Sequence, residues 1–130
     1  MTEENTEPKI PKKTILKVRT RLLSEANTHE HWRNKYDRNK VNCQSVKRVW
    51  YSIKPKIKIP CLVTLIRSGS RLMDFDNLVY SFKGIRDCVG SLIRPDLAPG
   101  RADGEGTGIE WAYKQVEGPY WIFIEIEEKG

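Results

Sequence analysis

The sequence predicts a single α/β domain of the α+β kind, with one mixed sheet, helices packed on it, a C-terminal hairpin and the element order β-α-β-α-β-β. Three observations lead there. A period-two stretch near the start gives way to a long stretch of helical period. A run of β-branched and aliphatic residues is then followed by a second helical stripe. Two β-rich segments close the chain around a Gly-Pro turn. A chain of 130 residues suits one modest core and not two.

Met1 to about Lys12 holds Pro8 and Pro11 and reads as a flexible N-terminal tail (1–12), leaving 13–130 as the domain. From Thr14 to Leu23 the chain alternates. Leu16, Val18, Thr20 and Leu22 fall on one side and Lys17, Arg19 and Arg21 on the other, which predicts a half-buried strand with a basic outer face. Asn27 followed by Glu30 has the spacing of a helix N-cap and its N3 acid. Behind it Trp32, Tyr36, Cys43, Val46, Trp50 and Ile53 form one apolar stripe, and Pro55 ends the helix. Ile59 to Arg67 predicts a buried strand, with Ser68-Gly69-Ser70 as the turn after it. A second helix should start at Asp76 or Asn77 and carry Leu78, Phe82, Ile85, Val89 and Leu92 inward as far as Ile93. Leu97 to Gly108 reads as a long loop, and loops of that length are often functional. Ile109–Lys114 and Tyr120–Ile126 flank Glu117-Gly118-Pro119 as a hairpin.

Composition narrows the partners. The formal net charge is +6, the isoelectric point is near 9.3 and the mean hydropathy is −0.59. The longest apolar run, Cys61 to Ile66, is far too short to span a bilayer, so no membrane association is expected. The polar start does not resemble a secretory signal. Cys43, Cys61 and Cys88 are odd in number and widely spaced, which suits free thiols in a reducing compartment; the expected location is the cytoplasm. Lys9 to Lys58 is overwhelmingly basic, and a polyanion such as nucleic acid is the favoured partner. The expected phosphate contacts are Arg33, Lys35, Lys40, Lys47 and Arg71.

Against this basic background the acids of Asp74-Phe75-Asp76-Asn77 and Asp103-Gly104-Glu105 stand out. Asp74 and Asp76 are two apart, so on extended backbone both carboxylates leave one face while Phe75 turns into the core. Such a pair suits Mg²⁺, which takes hard oxygen ligands in near-octahedral geometry. The competing reading has Asp76 cap a helix and Asp74 sit in a turn. Asp103 and Glu105 add further candidate ligands on a loop made supple by glycines. Lys83 follows Asp76 by seven positions, two helical turns on, where an ammonium could reach a phosphate. Other chemistries fare worse. His29-Glu30-His31 matches no zinc spacing, and neither a serine-hydrolase elbow nor a phosphate-binding glycine loop of the NTPase kind is present. The four tryptophans fall on apolar faces and read as core.

Asp74-Phe75-Asp76-Asn77-Leu78, Lys83-Gly84-Ile85-Arg86-Asp87, Asp103-Gly104-Glu105 and Trp111-Ala112-Tyr113-Lys114 together resemble the RusA family of Holliday junction resolvases, many of them carried by phages and prophages. The resemblance runs from about Leu16 to Ile126 and includes Leu22 to Asn27 and His31-Trp32. It implies a homodimeric, Mg²⁺-dependent endodeoxyribonuclease, with Mn²⁺ as a substitute and no small-molecule cofactor. Asp74, Asp76 and Asp103 would be its metal-binding acids, with Glu105 as an extra ligand. It also implies paired phosphodiester cleavage of four-way junctions and branched duplexes, in recombination and repair. The sequence departs from the family pattern twice. Ala102 precedes Asp103 where members often pair two aspartates, and Tyr80 stands where the family lysine falls, so either Lys83 or the Tyr80 phenol itself is left to fill the lysine role. The alternative is a non-catalytic DNA-binding accessory module on the same fold.

Overall fold

The computed structural model describes residues 13–22, 32–97 and 106–129, with side chains in the first helix described from 37 onward. Seven elements follow one another: β1 (Lys13–Val18), α1 (Trp32–Ile53), β2 (Cys61–Gly69), α2 (Phe75–Ser81), α3 (Lys83–Ile93), β3 (Ile109–Glu117) and β4 (Trp121–Glu128). The strands make one mixed sheet in the order β1-β4-β2-β3. The α+β class and the alternation of strands with helices are as the sequence predicts. The expected N-terminal tail and the Asn27–Glu30 cap lie outside the described residues.

Register defines two faces. Leu16 and Val18 lie opposite Ile124 and Ile122, Val63 and Leu65 opposite Ile126 and Ile124, and Cys61 beside Ile109. These residues are buried, and with Val46 and Trp50 of α1 and Leu78, Phe82, Ile85 and Val89 of α2 and α3 they form one core. The predicted helical stripes therefore largely hold, because apolar residues at helical spacing must find the sheet or be left in water. The side chains of Trp32 and Tyr36 lie outside the described residues, and among the rest Ile53 is the exception at 47% exposure. It ends α1, where Lys54 adopts a positive φ of 53° before Pro55. Gly84 lets α1 and α3 approach, since a Cβ there would come within 3.1 Å of Asn39. The opposite face, with Leu62, Ile66 and Phe123 half-buried and Ile15 and Val116 exposed, carries no helix among the described residues.

The predicted C-terminal hairpin is not formed. β2 lies between β3 and β4, running parallel to the first and antiparallel to the second. The reason is burial: Cys61, Val63 and Leu65 are sealed on one face and Thr64 and Ser68 nearly so on the other, which demands a neighbour on each side. Residues 118–120 therefore pass over the end of β2, spanning two strand spacings, about 10 Å. Gly118 makes the crossing close. Its N–H donates to Gly69 O at 3.0 Å, and a Cβ there would meet Ser68 Oγ at 3.0 Å. A Gly-Pro turn signal is the same for this crossing as for a hairpin.

Three further expectations are corrected. Ser68 and Gly69 belong to β2 rather than to a turn, and β1 stops at Val18. The single second helix is two, with Phe82 (φ −85°, ψ −2°) at the break. Phe82 is fully buried at this break, on the same inward stripe as Leu78 and Ile85. Among the described residues, no helix is long and apolar enough to cross a membrane.

Candidate active site and nucleic-acid interface

β1, β2 and β3 all end, and β4 begins, at one edge of the sheet, where Val18, Arg67 and Ile122 sit in register. The segments leaving that edge, 19–22, 70–74 and 118–120, enclose a cleft of about 360 Å³. Arg21, Arg67, Arg71, Ser70, Tyr120 and Asp74 are among the residues lining it.

Asp74 is fixed through its neighbour. Gln115 on β3 reaches across and closes a ring with the Met73 backbone. Met73 N–H donates to Gln115 Oε1 at 2.8 Å, and Gln115 Nε2 donates to Met73 O at 2.6 Å. Asp74 then occupies the N-cap position of α2, its carbonyl accepting from Leu78 N–H at 2.9 Å. Its carboxylate makes no capping hydrogen bond. Asp76 lies in the first turn of the helix and is exposed. Neither carboxylate forms an ion pair or side-chain hydrogen bond among the described residues, so the capping and turn roles do not consume them. Two exposed carboxylates are hard donors of the kind Mg²⁺ takes.

The arrangement corrects the reasoning that joined them. The helix starts at Phe75, so the backbone from 74 to 76 is not extended and the pair does not share a face by alternation. Phe75 does not enter the core. It is 62% exposed and rests edge-on against Tyr113, with ring centroids 6.3 Å apart. Tyr113 also packs on Phe82 and accepts a hydrogen bond from Arg86 Nη1 at 2.8 Å.

Of the other expected residues whose side chains are described, Arg71 alone joins Asp74 at the cleft. Lys83 is exposed at the start of α3. The break at Phe82 puts it on a different helix from Asp76, and it is not among the residues lining the cleft. Tyr80 is 48% exposed on α2. Lys40 is exposed on α1, and Lys47 lines a groove between α1 and α3 that also holds Cys43 and Cys88. The three cysteines are free, as expected; Cys61 and Cys88 are buried, and burial raises both thiols above their usual range. Arg33 and Lys35 belong to α1, but their side chains lie outside the described residues, as do Asp103 and Glu105 entirely.

The basic outer face expected of β1 is present and stacked on aromatics. Lys17 Nζ lies 4.0 Å from the Trp121 ring centre, Arg19 5.9 Å from the same ring and Arg21 4.7 Å from the Tyr120 ring. Trp121 is thus half-buried away from the helices and is no core residue, whereas Trp50 is. The row leads from the sheet face to the cleft, and cations held over rings in this way remain available to phosphate.

Arg67, Ser70, Gln115 and Tyr120 were not singled out from the sequence. Arg67 ends a run read as a buried strand, and a charged residue closing such a run was the available signal. Comparison with protein-family models, with curated proteins and with solved structures returns no match.

Proposed function

We propose that this chain is a Mg²⁺-dependent, structure-selective DNA endonuclease that resolves four-way junctions and related branched duplexes. One observation carries the reading: Asp74, its carboxylate left unspent by the local fold, lines a cleft with three arginines, and the exposed Asp76 follows two residues on. Acids surrounded by anion-binding groups suit a divalent ion held against a phosphodiester. Asp74 and Asp76 would hold that ion, with Asp103 and Glu105 as further donors. Bound there, it would activate water and offset charge on the reacting phosphate. The chain's own part is to place the backbone. Arg21 and Arg71 draw a phosphate into the cleft, and the Gln115–Met73 ring keeps Asp74 in position beside it. Lys83 would act at the reacting phosphate from the start of α3. Lys40 and Lys47, with the cations of β1, would follow the duplex by charge and shape rather than sequence.

A junction of approximate two-fold symmetry needs two cuts, and one domain carries one site, so the proposed working form is a C2 homodimer. The uncovered sheet face with Ile15, Ile66 and Val116 supports it.

The test is cleavage of a labelled junction in Mg²⁺ and in EDTA by wild type, Asp74→Asn and Asp76→Asn. Each substitution keeps the side-chain shape but removes a hard anionic ligand. Cutting should disappear in both variants and in EDTA, with junction affinity unchanged or higher. Cutting at the wild-type rate by both variants would refute the assignment.

A further inference from the structure

Arg67 raises a question that the carboxylates do not answer. Its side chain sits on the core face of β2 and is only 6% exposed. Its hydrogen bonds run to neutral carbonyls: Nε to Leu22 O at 3.4 Å and Nη1 to Arg71 O at 2.5 Å. No carboxylate pairs with it among the described residues. A guanidinium stays protonated in proteins, so this is a buried positive charge with no counter-charge bonded to it among the described residues. Burial lowers its proton affinity most; Tyr120 partly offsets this, and Arg21 nearby lowers it further.

The surroundings add to that charge. Arg21 and Arg71 line the same cleft, and Asp74 is the single carboxylate among the residues lining it. Tyr120 Oη and Ser70 Oγ share a hydrogen bond of 2.7 Å at its mouth. The Ser70 bond first, and then the guanidiniums of Arg21, Arg67 and Arg71, hold the Tyr120 phenol below its usual range. Gly69 supplies the room: a Cβ there would lie 2.6 Å from Arg67 Nη2, so the guanidinium rests where only glycine leaves space. Three like charges gathered around one concavity repel one another unless an anion offsets them.

We infer that Arg21, Arg67, Arg71, Ser70 and Tyr120 form a phosphate seat, a subsite that takes one phosphate group through guanidinium and hydroxyl donors beside the Asp74 carboxylate. Guanidinium forks match phosphate oxygens in pairs, and hydroxyls can donate to a third oxygen. The inference rests on the proposed function only in naming the occupant as a phosphate of a DNA backbone. Its position next to Asp74 makes it the holder of a phosphate neighbouring the one presented to the acids.

The experiment uses the full chain in EDTA, so no cleavage enters. Melting is followed in inorganic phosphate and in chloride at matched ionic strength, and binding of a fluorescent duplex by anisotropy. Wild type is compared with Arg21→Gln, Arg71→Gln and Tyr120→Phe, all outside the core. Saturating phosphate should raise the wild-type melting temperature by about 4 °C over chloride. That shift should vanish in Arg21→Gln and Arg71→Gln and shrink in Tyr120→Phe. Arg71→Gln should also weaken duplex binding by roughly tenfold, and phosphate should displace the duplex beyond the effect of ionic strength alone. Phosphate stabilisation without such displacement would support the seat with free phosphate as its ligand. Equal effects of phosphate and chloride on wild type, or a full phosphate shift in both arginine variants, would overturn it. Absence of Mg²⁺-dependent cutting by wild type in the separate junction assay, with the phosphate shift intact, would defeat the nuclease reading and leave the seat standing.

Discussion

Gln115→Met separates the ring that positions Asp74 from simple packing. Methionine keeps the length and most of the volume of glutamine but loses both polar atoms, so the change is felt at two hydrogen bonds, of 2.8 and 2.6 Å, to the Met73 backbone. Each such bond contributes about 1 kcal/mol net, and a partly buried amide left unpaired loses that much or more, giving a cost of about 2 kcal/mol. For a domain between the size classes usually tabulated, each kcal/mol moves the melting temperature by roughly 4 °C, so calorimetry should show a fall of about 8 °C. Releasing Met73 also frees Asp74 next to it, and misplacing a ligand-bearing group by an ångström costs about a hundredfold in rate. Junction cleavage should therefore fall far more than junction binding. A melting temperature within about 1 °C of wild type, with unchanged cleavage, would refute the view that this ring holds the site together.

Gly69→Ala should cost little stability, because the atom it meets is the end of a flexible side chain, yet it should displace Arg67 and weaken duplex binding by roughly tenfold in anisotropy. Ultraviolet titration should reveal one phenol ionising below the ordinary value of 10.0, absent in Tyr120→Phe and moved upward by added phosphate. Since folding lowers this acid's pKa, its contribution to stability is absent below the folded value. It grows as pH rises through the folded value and is complete above the unfolded value near 10. Lys47→Glu should weaken binding to all duplex shapes alike and flatten the salt dependence by about one counterion per lost contact, read from affinity against salt concentration.

Element types were legible where burial follows a simple period. The stripe through Val46 and Trp50, and that through Leu78, Phe82, Ile85 and Val89, end in the core because a helix has one face to bury. Strand neighbours were not legible, because pairing is decided by which strand needs cover on both faces, a property of the whole sheet. The glycines at 118 and 69 illustrate the limit. Each marks a close approach of backbone or side chain, but the sequence does not say to what. At the site, Asp74 and Arg71 were found because their chemistry is local to one short segment. Arg67 and Tyr120 meet only through strand order, and Gln115 reaches Met73 from a strand 42 positions away.

The position of β4 has a consequence for how the sheet comes together. It is the last of the described strands in chain order, yet among them it is the one that β1 pairs with, and it lies against β2 as well. Lys13 thus finds its partner, Glu127, near the other end of the sequence. Among the described strands no nearest-neighbour hairpin exists to nucleate this sheet, and each strand pairing closes a long loop, which is the kind of topology that folds slowly. Until β4 is in place, β1 has no strand to join, and the unpaired edge of β2 is open to other chains.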